Sequence, residues 1–459
     1  MRRMTSRVPR PIHAANDGCD LAAIIDARAI DSFQVRLLLL IGCAIIADGF
    51  DVQAMGFVAP AIVRDWHIEL PVLGPIFAAS LVGMLLGSIV LGSVADRIGR
   101  RPVLIGAMIA FGAFTLATAL AASIPQLIGA RFLAGIGLGG VMGNAVALAS
   151  EFSPARRRAT ILMTLSCGFT GGAIAGGVVS ALLIPLAGWR VVFLAGGVVP
   201  IVIAFFMVAM LPESLHFTVT ARRWTPRARA VLGRIAPGVD PRRLTAPSGP
   251  GSAPFHGLFA SGRFPATLVL WIVSFANMLD LFFLSNWLPT LAVRMGMTGN
   301  SAALLGTMLQ LGGIAGALVM GPLIDRYGFR GVMLAAFSIA WASVSLLGQP
   351  GLPLGAMIIV VMLAGIGVAG AQPAINAFAA TLYPPPLRGA GLGWTLGVGR
   401  LGAIVGPLVA AGLIGLHWSN QALFVAAAVP AACSAILTFA LPRLPGTDQL
   451  PGKRFLKGA

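Results

Sequence analysis

Long apolar runs, broken by short basic clusters, dominate the chain. They fall at 36–63, 72–94, 103–122, 126–150, 160–185, 190–211, 265–291, 302–324, 331–349, 353–379, 390–415 and 420–441. Each is close to the roughly 20 apolar residues that a helix needs to cross the hydrocarbon core. The pattern predicts an all-α integral membrane protein of twelve transmembrane helices. A long polar stretch, 212–264, divides them into two sets of six. It carries Arg222, Arg223, Arg227, Arg229, Arg234, Arg242 and Arg243, and ends in the linker-like Pro247-Ser-Gly-Pro-Gly-Ser-Ala-Pro254. The expected organisation is an N-terminal tail (1–34), a six-helix bundle (35–211), a central loop (212–264), a second six-helix bundle (265–441) and a C-terminal tail (442–459).

Composition agrees with a lipid environment. Of 459 residues, 57% are hydrophobic and 10% charged, against about 25% charged in soluble domains. The net charge of +17 first suggests nucleic acid, but the basic residues cluster between apolar runs. Counted loop by loop, Arg97, Arg100, Arg101, Arg156–Arg158, the central loop, Arg326, Arg330, Arg388 and the C-terminal Arg443, Lys453, Arg454 and Lys457 fall on one side. The other side holds little beyond Arg64, Arg190 and Arg294. By the positive-inside rule the first side, with both termini, is cytoplasmic. The expected location is therefore a bacterial inner membrane, crossed many times, with no nucleic-acid partner.

The two sets of helices are related by an internal repeat. Gly92-Ser-Val-Ala-Asp96-Arg97-Ile-Gly99-Arg100-Arg101 follows the second run. Gly321-Pro-Leu-Ile-Asp325-Arg326-Tyr-Gly328-Phe-Arg330 follows the eighth. Gly, Asp, Arg, Gly and Arg recur at identical offsets, as in transporters built from duplicated halves.

This loop resembles the signature of the major facilitator superfamily. Further segments resemble its aromatic acid:proton symporters, carriers of 4-hydroxybenzoate, protocatechuate and benzoate. They are Asp48-Gly-Phe-Asp51 with Gly56-Phe-Val-Ala-Pro60; Arg131-Phe-Leu-Ala-Gly135-Ile-Gly137 through Asn144; Ser285-Asn-Trp-Leu-Pro289-Thr; Tyr383-Pro384 with Arg388-Gly-Ala-Gly391-Leu-Gly-Trp394; and Gly397-Val-Gly399-Arg400-Leu-Gly402 with Gly406-Pro407. The resemblance implies two pseudo-symmetric bundles and alternating access. It also implies proton-coupled import of a small aromatic carboxylate. The rival expectation is a proton-driven antiporter of the same superfamily that exports drugs or metabolites. No metal cluster, nucleophile–His arrangement or appended signalling domain points to an enzyme or sensor, and neither cofactor nor metal is expected. The chain is expected to act as a monomer, with protons, substrate and lipid as its partners.

Only fifteen acidic residues occur, and Asp48, Asp51 and Asp280 lie inside spans. Ionisable groups in hydrocarbon are expensive and usually functional. Asp48 and Asp51 share a helix face. Their mutual repulsion should leave one proton exchangeable near neutral pH, with no His inside a span to take that role. The alternative is that Asp48 caps a broken helix or pairs structurally with a buried Arg. Arg131 and Arg400 need anionic or multi-acceptor partners. Arg131 is a candidate partner for a first-span Asp. Arg400, among small residues, is a candidate bidentate clamp for a substrate carboxylate. Structural salt bridges are the alternative for both; the resemblance favours function, because the family motif has Arg at each position.

Asp280 departs from that family pattern, which is uncharged there. It could accept a bond from a substrate hydroxyl or ammonium, or face the external vestibule. Asn144, Asn286, Gln372 and Asn376 are candidate polar substrate contacts. Phe50, Phe283, Trp287 and Trp394 are candidate aromatic walls, with core or interfacial packing the competing reading. Gly92, Asp96, Arg97, Arg100, Glu151, Asp325, Arg326 and Arg388 are expected to gate through charge networks, Glu151 with Arg156–Arg158 and Glu213 beside it. Gly135, Gly139 and Gly143, Gly172 and Gly176, and Gly393 and Gly397 suggest close helix packing. Cys43, Cys167 and Cys433 read as small buried hydrophobes.

Overall fold

The computed structural model describes residues 19–20, 25–26, 30–221, 224–235, 244–245, 255–260 and 262–441. Most of both tails and the 247–254 linker lie outside the described residues. The helices are α1 (Ser32–Trp66), α2 (Leu73–Ile98), α3 (Arg100–Ala119), α4 (Ile124–Glu151), α5 (Ala155–Ala187) and α6 (Arg190–Met210). Two short helices follow, α7 (Leu215–Thr220) and α8 (Pro226–Ile235). The second set is α9 (Phe264–Arg294), α10 (Gly299–Leu347), α11 (Leu354–Val368), α12 (Ala371–Leu382), α13 (Pro385–Gly415) and α14 (Asn420–Thr438). A two-residue parallel pairing joins Cys19–Asp20 to Leu244–Thr245.

Ten stretches are long and apolar enough to span by length and composition. Adding α1 and counting α10 twice gives the expected twelve. At 49 residues α10 is two spans joined at Gly328, whose φ of 79° breaks the helix. Gly99, φ 105°, makes the same reversal between α2 and α3. A β-carbon costs about 1–2 kcal/mol in this left-handed region, which explains why both copies of the duplicated loop carry Gly there. The tenth span runs through α11 and α12; Ala369 and Gly370 keep helical backbone angles, and Gly370 bonds five residues back to Gly365.

Helix pairs inside each half touch backbone to backbone. Gly135 and Gly139 lie on Ser80, Met84 and Ser88; Gly172 lies on Ile46; Gly402 and Gly406 lie on Phe275 and Leu279. Gly143, Gly393 and Gly397, expected in the same seams, meet nothing within 4 Å. In α13 the packed face is that of Gly399, Gly402 and Gly406, because a shift of two residues turns a position well away from the neighbouring helix. The central stretch divides between the halves. Leu215, Leu232 and Leu244 bury against the first bundle, and Leu258 against the second.

The three span cysteines are exposed, not buried. In lipid an apolar thiol gains nothing by facing inward, so apolar character does not mark the core side.

Contacts between the halves gather at the end away from the duplicated loops. Gly56 meets Ser285 and Asn286, Gly74 meets Ala411, and Gly177 meets Thr307. The Phe77 ring stands edge-on to Trp287 at 5.4 Å. Gln53 donates to the Ser285 carbonyl (2.7 Å) and accepts from Gln310 (3.0 Å). At the duplicated-loop end, Asp96, Arg97, Asp325, Arg326 and Arg388 are exposed. No ion pair joins the halves there among the described residues. In this conformation the halves are held together at the end away from the duplicated loops.

Candidate functional site

Asp51 points from α1 into the first bundle. Arg131 on α4 meets it bidentately, Nη1 to Oδ1 at 3.0 Å and Nη2 to Oδ2 at 2.8 Å. Thr115 on α3 donates a further bond to Oδ1 at 3.0 Å, and Arg131 Nη2 also reaches Ser80 Oγ on α2 at 3.2 Å. The guanidinium lies 5.5 Å from the Phe193 ring centroid. Asp51 and Arg131 are 0% and 1% exposed. Four helices thus converge on one desolvated ion pair, and the expectation that Arg131 would partner a first-span Asp holds for Asp51.

Asp48, one turn earlier, is equally buried, but its Oδ1 has no hydrogen-bond partner. The charges that act on it are Asp51 and Arg400. Arg400 belongs to the other half. It reaches across to donate from Nη1 to Ser88 Oγ on α2 at 2.5 Å. Arg400 thus crosses the seam between the bundles, and no salt bridge joins it to Asp48. A guanidinium held by one neutral hydroxyl keeps donors for an incoming carboxylate.

The other expected substrate residues are dispersed. Asn277, Gln372 and Asn376 form a chain: Asn277 Nδ2 donates to Gln372 Oε1 (2.8 Å) and Gln372 Nε2 to Asn376 Oδ1 (3.3 Å). Asn144 and Asn286 donate to their own helices, to the Gly140 and Phe282 carbonyls. Trp287 is buried in the closed end and donates to the Pro407 carbonyl (3.2 Å). Trp394 stacks on Trp271 at 5.8 Å along the α9–α13 seam. Phe283 packs edge-on to Phe424, and Phe50 lies against Gly196. Trp287 and Phe283 are core residues, Phe50 is partly buried and Trp394 is exposed.

The gating residues separate likewise. Glu151 takes Arg100 (2.5 Å) and the Ser214 hydroxyl (2.6 Å), while Glu213 accepts from the Arg101 backbone amide (3.1 Å). Arg158 approaches Asp26 (3.9 Å) instead of Glu151. These bonds tie α3, α4 and the start of α7 together inside one half. Gly92 lies in open space.

Asp280 is 2% exposed, so it does not face a vestibule, and its Oδ1 has no partner. Sequence reasoning missed its relation to Asp51. The two are separated by the same interval as Asp96 and Asp325.

The sequence profile of the Major Facilitator Superfamily matches residues 41–298 and again 270–457. The chain is 38% identical to the 4-hydroxybenzoate transporter PcaK of Pseudomonas aeruginosa, over 92% of this chain and 95% of that one. It is 35% identical to the gallate transporter of Pseudomonas putida, over 92% and 94%. In fold it is similar to a bacterial homologue of the human lysosomal transporter Spinster, solved inward-facing and occupied. The TM-score is 0.70 at 18% identity, covering 91% of this chain and 98% of that one. The chain belongs to the major facilitator superfamily, among its aromatic acid transporters, and is a membrane transporter, not an enzyme.

Proposed function

We propose that this chain imports a small aromatic carboxylate of the hydroxybenzoate type together with protons, across a bacterial inner membrane. The placing of the duplicated loops, both termini and the central loop on the cytoplasmic side rests on the basic residues gathered there. The state described above is then closed towards the periplasm.

One observation carries the coupling: Asp48 is buried with an unpartnered oxygen, and Arg400 reaches across the seam into the same bundle, held there by one neutral hydroxyl. While Asp48 is charged it competes with substrate for the Arg400 field. A proton on Asp48 removes that competitor, and the substrate carboxylate then takes the guanidinium. Proton and anion load together, and the charge of the occupied site equals that of the empty one. This matters energetically, because an anion moving inward alone works against about 2.3 kcal/mol per charge per 100 mV. Asp51 and Arg131 hold each other and fix the α1 surface that presents Asp48. The identity with transporters of 4-hydroxybenzoate and gallate supports the substrate class. The chain acts as a monomer in this reading, each half supplying one side of the site.

Uptake of radiolabelled 4-hydroxybenzoate by cells expressing the chain tests the proposal. Wild-type uptake should collapse with a protonophore. Asp48→Asn should lose concentrative uptake yet retain exchange of substrate across the membrane. Uptake that ignores the protonophore, or proton movement opposite to substrate, would replace symport with the antiporter reading.

A further inference from the structure

The duplication relates more than the loops. His67 and Gly296, both left-handed, end α1 and α9 at the interval that separates Gly99 from Gly328. Beyond the third span the interval lengthens by one residue: Gly83 and Gly87 rest on Phe132 and Ile136, and their counterparts Gly312 and Gly316 rest on Met362 and Ile366. By this register Asp280 is the counterpart of Asp51, and Asn277 that of Asp48. The three groups that satisfy Asp51 also have counterparts. Arg131 becomes Val361, Thr115 becomes Val344 and Ser80 becomes Leu309, each buried and part of one apolar cluster. The second bundle keeps the acid and has lost every partner.

No charge replaces them. α11, α12 and α14 contain none. Arg400 on α13 is turned to the other half, where it bonds to Ser88. Asp325 and Arg326 are exposed at the far end of the first α10 span. An ionised carboxylate buried without a partner is costly, and Asp280 is 2% exposed with an unpartnered Oδ1. A path leads away beside it: Asn277 lies one turn away on the same helix face and bonds to Gln372, which bonds to half-buried Asn376.

We propose that Asp280 is a second proton-binding site, in the C-terminal bundle, that gives its proton to water along the Asn277–Gln372–Asn376 side during the transport cycle. This deepens the symport reading and rests on it. The Asp280 hydroxyl bond breaks, the carboxyl keeps the electron pair, and hydrated protein groups stabilise the anion until reprotonation.

The test uses the full chain, as wild type, Asp280→Asn and Asp280→Leu. Infrared difference spectra report the protonated-carboxyl stretch, and proteoliposomes report protons moved per 4-hydroxybenzoate. The expected result is a protonated-carboxyl band, absent from both variants, that changes when substrate is added, with one proton fewer per substrate in Asp280→Asn. A band indifferent to substrate overturns the proposal. So does Asp280→Leu transporting with wild-type proton stoichiometry, since Asp280 would then be a fixed neutral acid. If wild type moves substrate without protons, the flux measurement alone fails the symport reading, and the infrared band still decides whether Asp280 exchanges its proton.

Discussion

Replacing Arg131 by Val would give the first bundle the lining that the second already has. In wild type the guanidinium holds both Asp51 oxygens at 2.8 and 3.0 Å in a site that is 0–1% exposed. Breaking a buried pair by removing one partner costs about 3–5 kcal/mol. An independent estimate agrees: a stranded carboxyl escapes by taking a proton, and protonating an ordinary Asp about three pH units above its reference value costs about 4 kcal/mol. At roughly 2–4 °C per kcal/mol for a unit of this size, the midpoint should fall by roughly 8–16 °C at pH 7. The sign with pH follows. The folded variant would bind a proton that the unfolded chain releases, so its stability should rise as pH falls from 8 towards 5, by up to about 1.4 kcal/mol per unit. Adding Asp51→Asn should restore most of the loss and remove the pH dependence. Scanning fluorimetry of purified protein at one fixed scan rate measures all of this. An Arg131→Val midpoint within 2–3 °C of wild type (about 1 kcal/mol), or a loss unchanged between pH 5 and 8, would refute the reasoning.

Gln53→Leu removes two bonds that hold the closed end, to Ser285 and Gln310. At about 1 kcal/mol each the open population at that end should grow roughly 30-fold, visible as longer spin-label distances between the halves there. Gly99→Ala should destabilise more than Gly328→Ala. Both meet the left-handed penalty of about 1–2 kcal/mol, but only at Gly99 would the new carbon strike Glu213; thermal midpoints decide. Arg400→Lys keeps the charge but loses the planar fork, so KM for substrate should rise, by about tenfold if one charge-assisted bond of about 1.5 kcal/mol is lost, while protonophore sensitivity persists. An unchanged KM would take substrate away from Arg400.

Much of this architecture was legible in the sequence because a membrane span is a one-dimensional signal. Twelve apolar runs, the basic clusters and the repeated Gly-x-x-x-Asp-Arg-x-Gly needed no folding to read. Faces were harder. Each span is apolar nearly all round, so periodicity does not separate lipid from core, and the cysteines and Gly397 were misplaced for that reason. Charged residues did better, since an Arg in hydrocarbon must find an acid, and Arg131 found Asp51. Asp280 was visible as an anomaly but not as a counterpart. Its meaning came from the lining, and Val361, Val344 and Leu309 are unremarkable until the register places them.

The Asp51–Arg131 pair also has a history in time. The two residues are 80 positions apart, and a ribosome adds about 5–20 residues per second. Asp51 is thus made roughly 4–16 s before its cation. During that interval the nascent first span offers the bilayer two acids with no counter-charge. It must wait at the insertion machinery with water still in reach until α4 emerges. Biogenesis of the first bundle is then a joint event of four helices, and loss of Arg131 should appear first in the yield of inserted protein, before any substrate is offered.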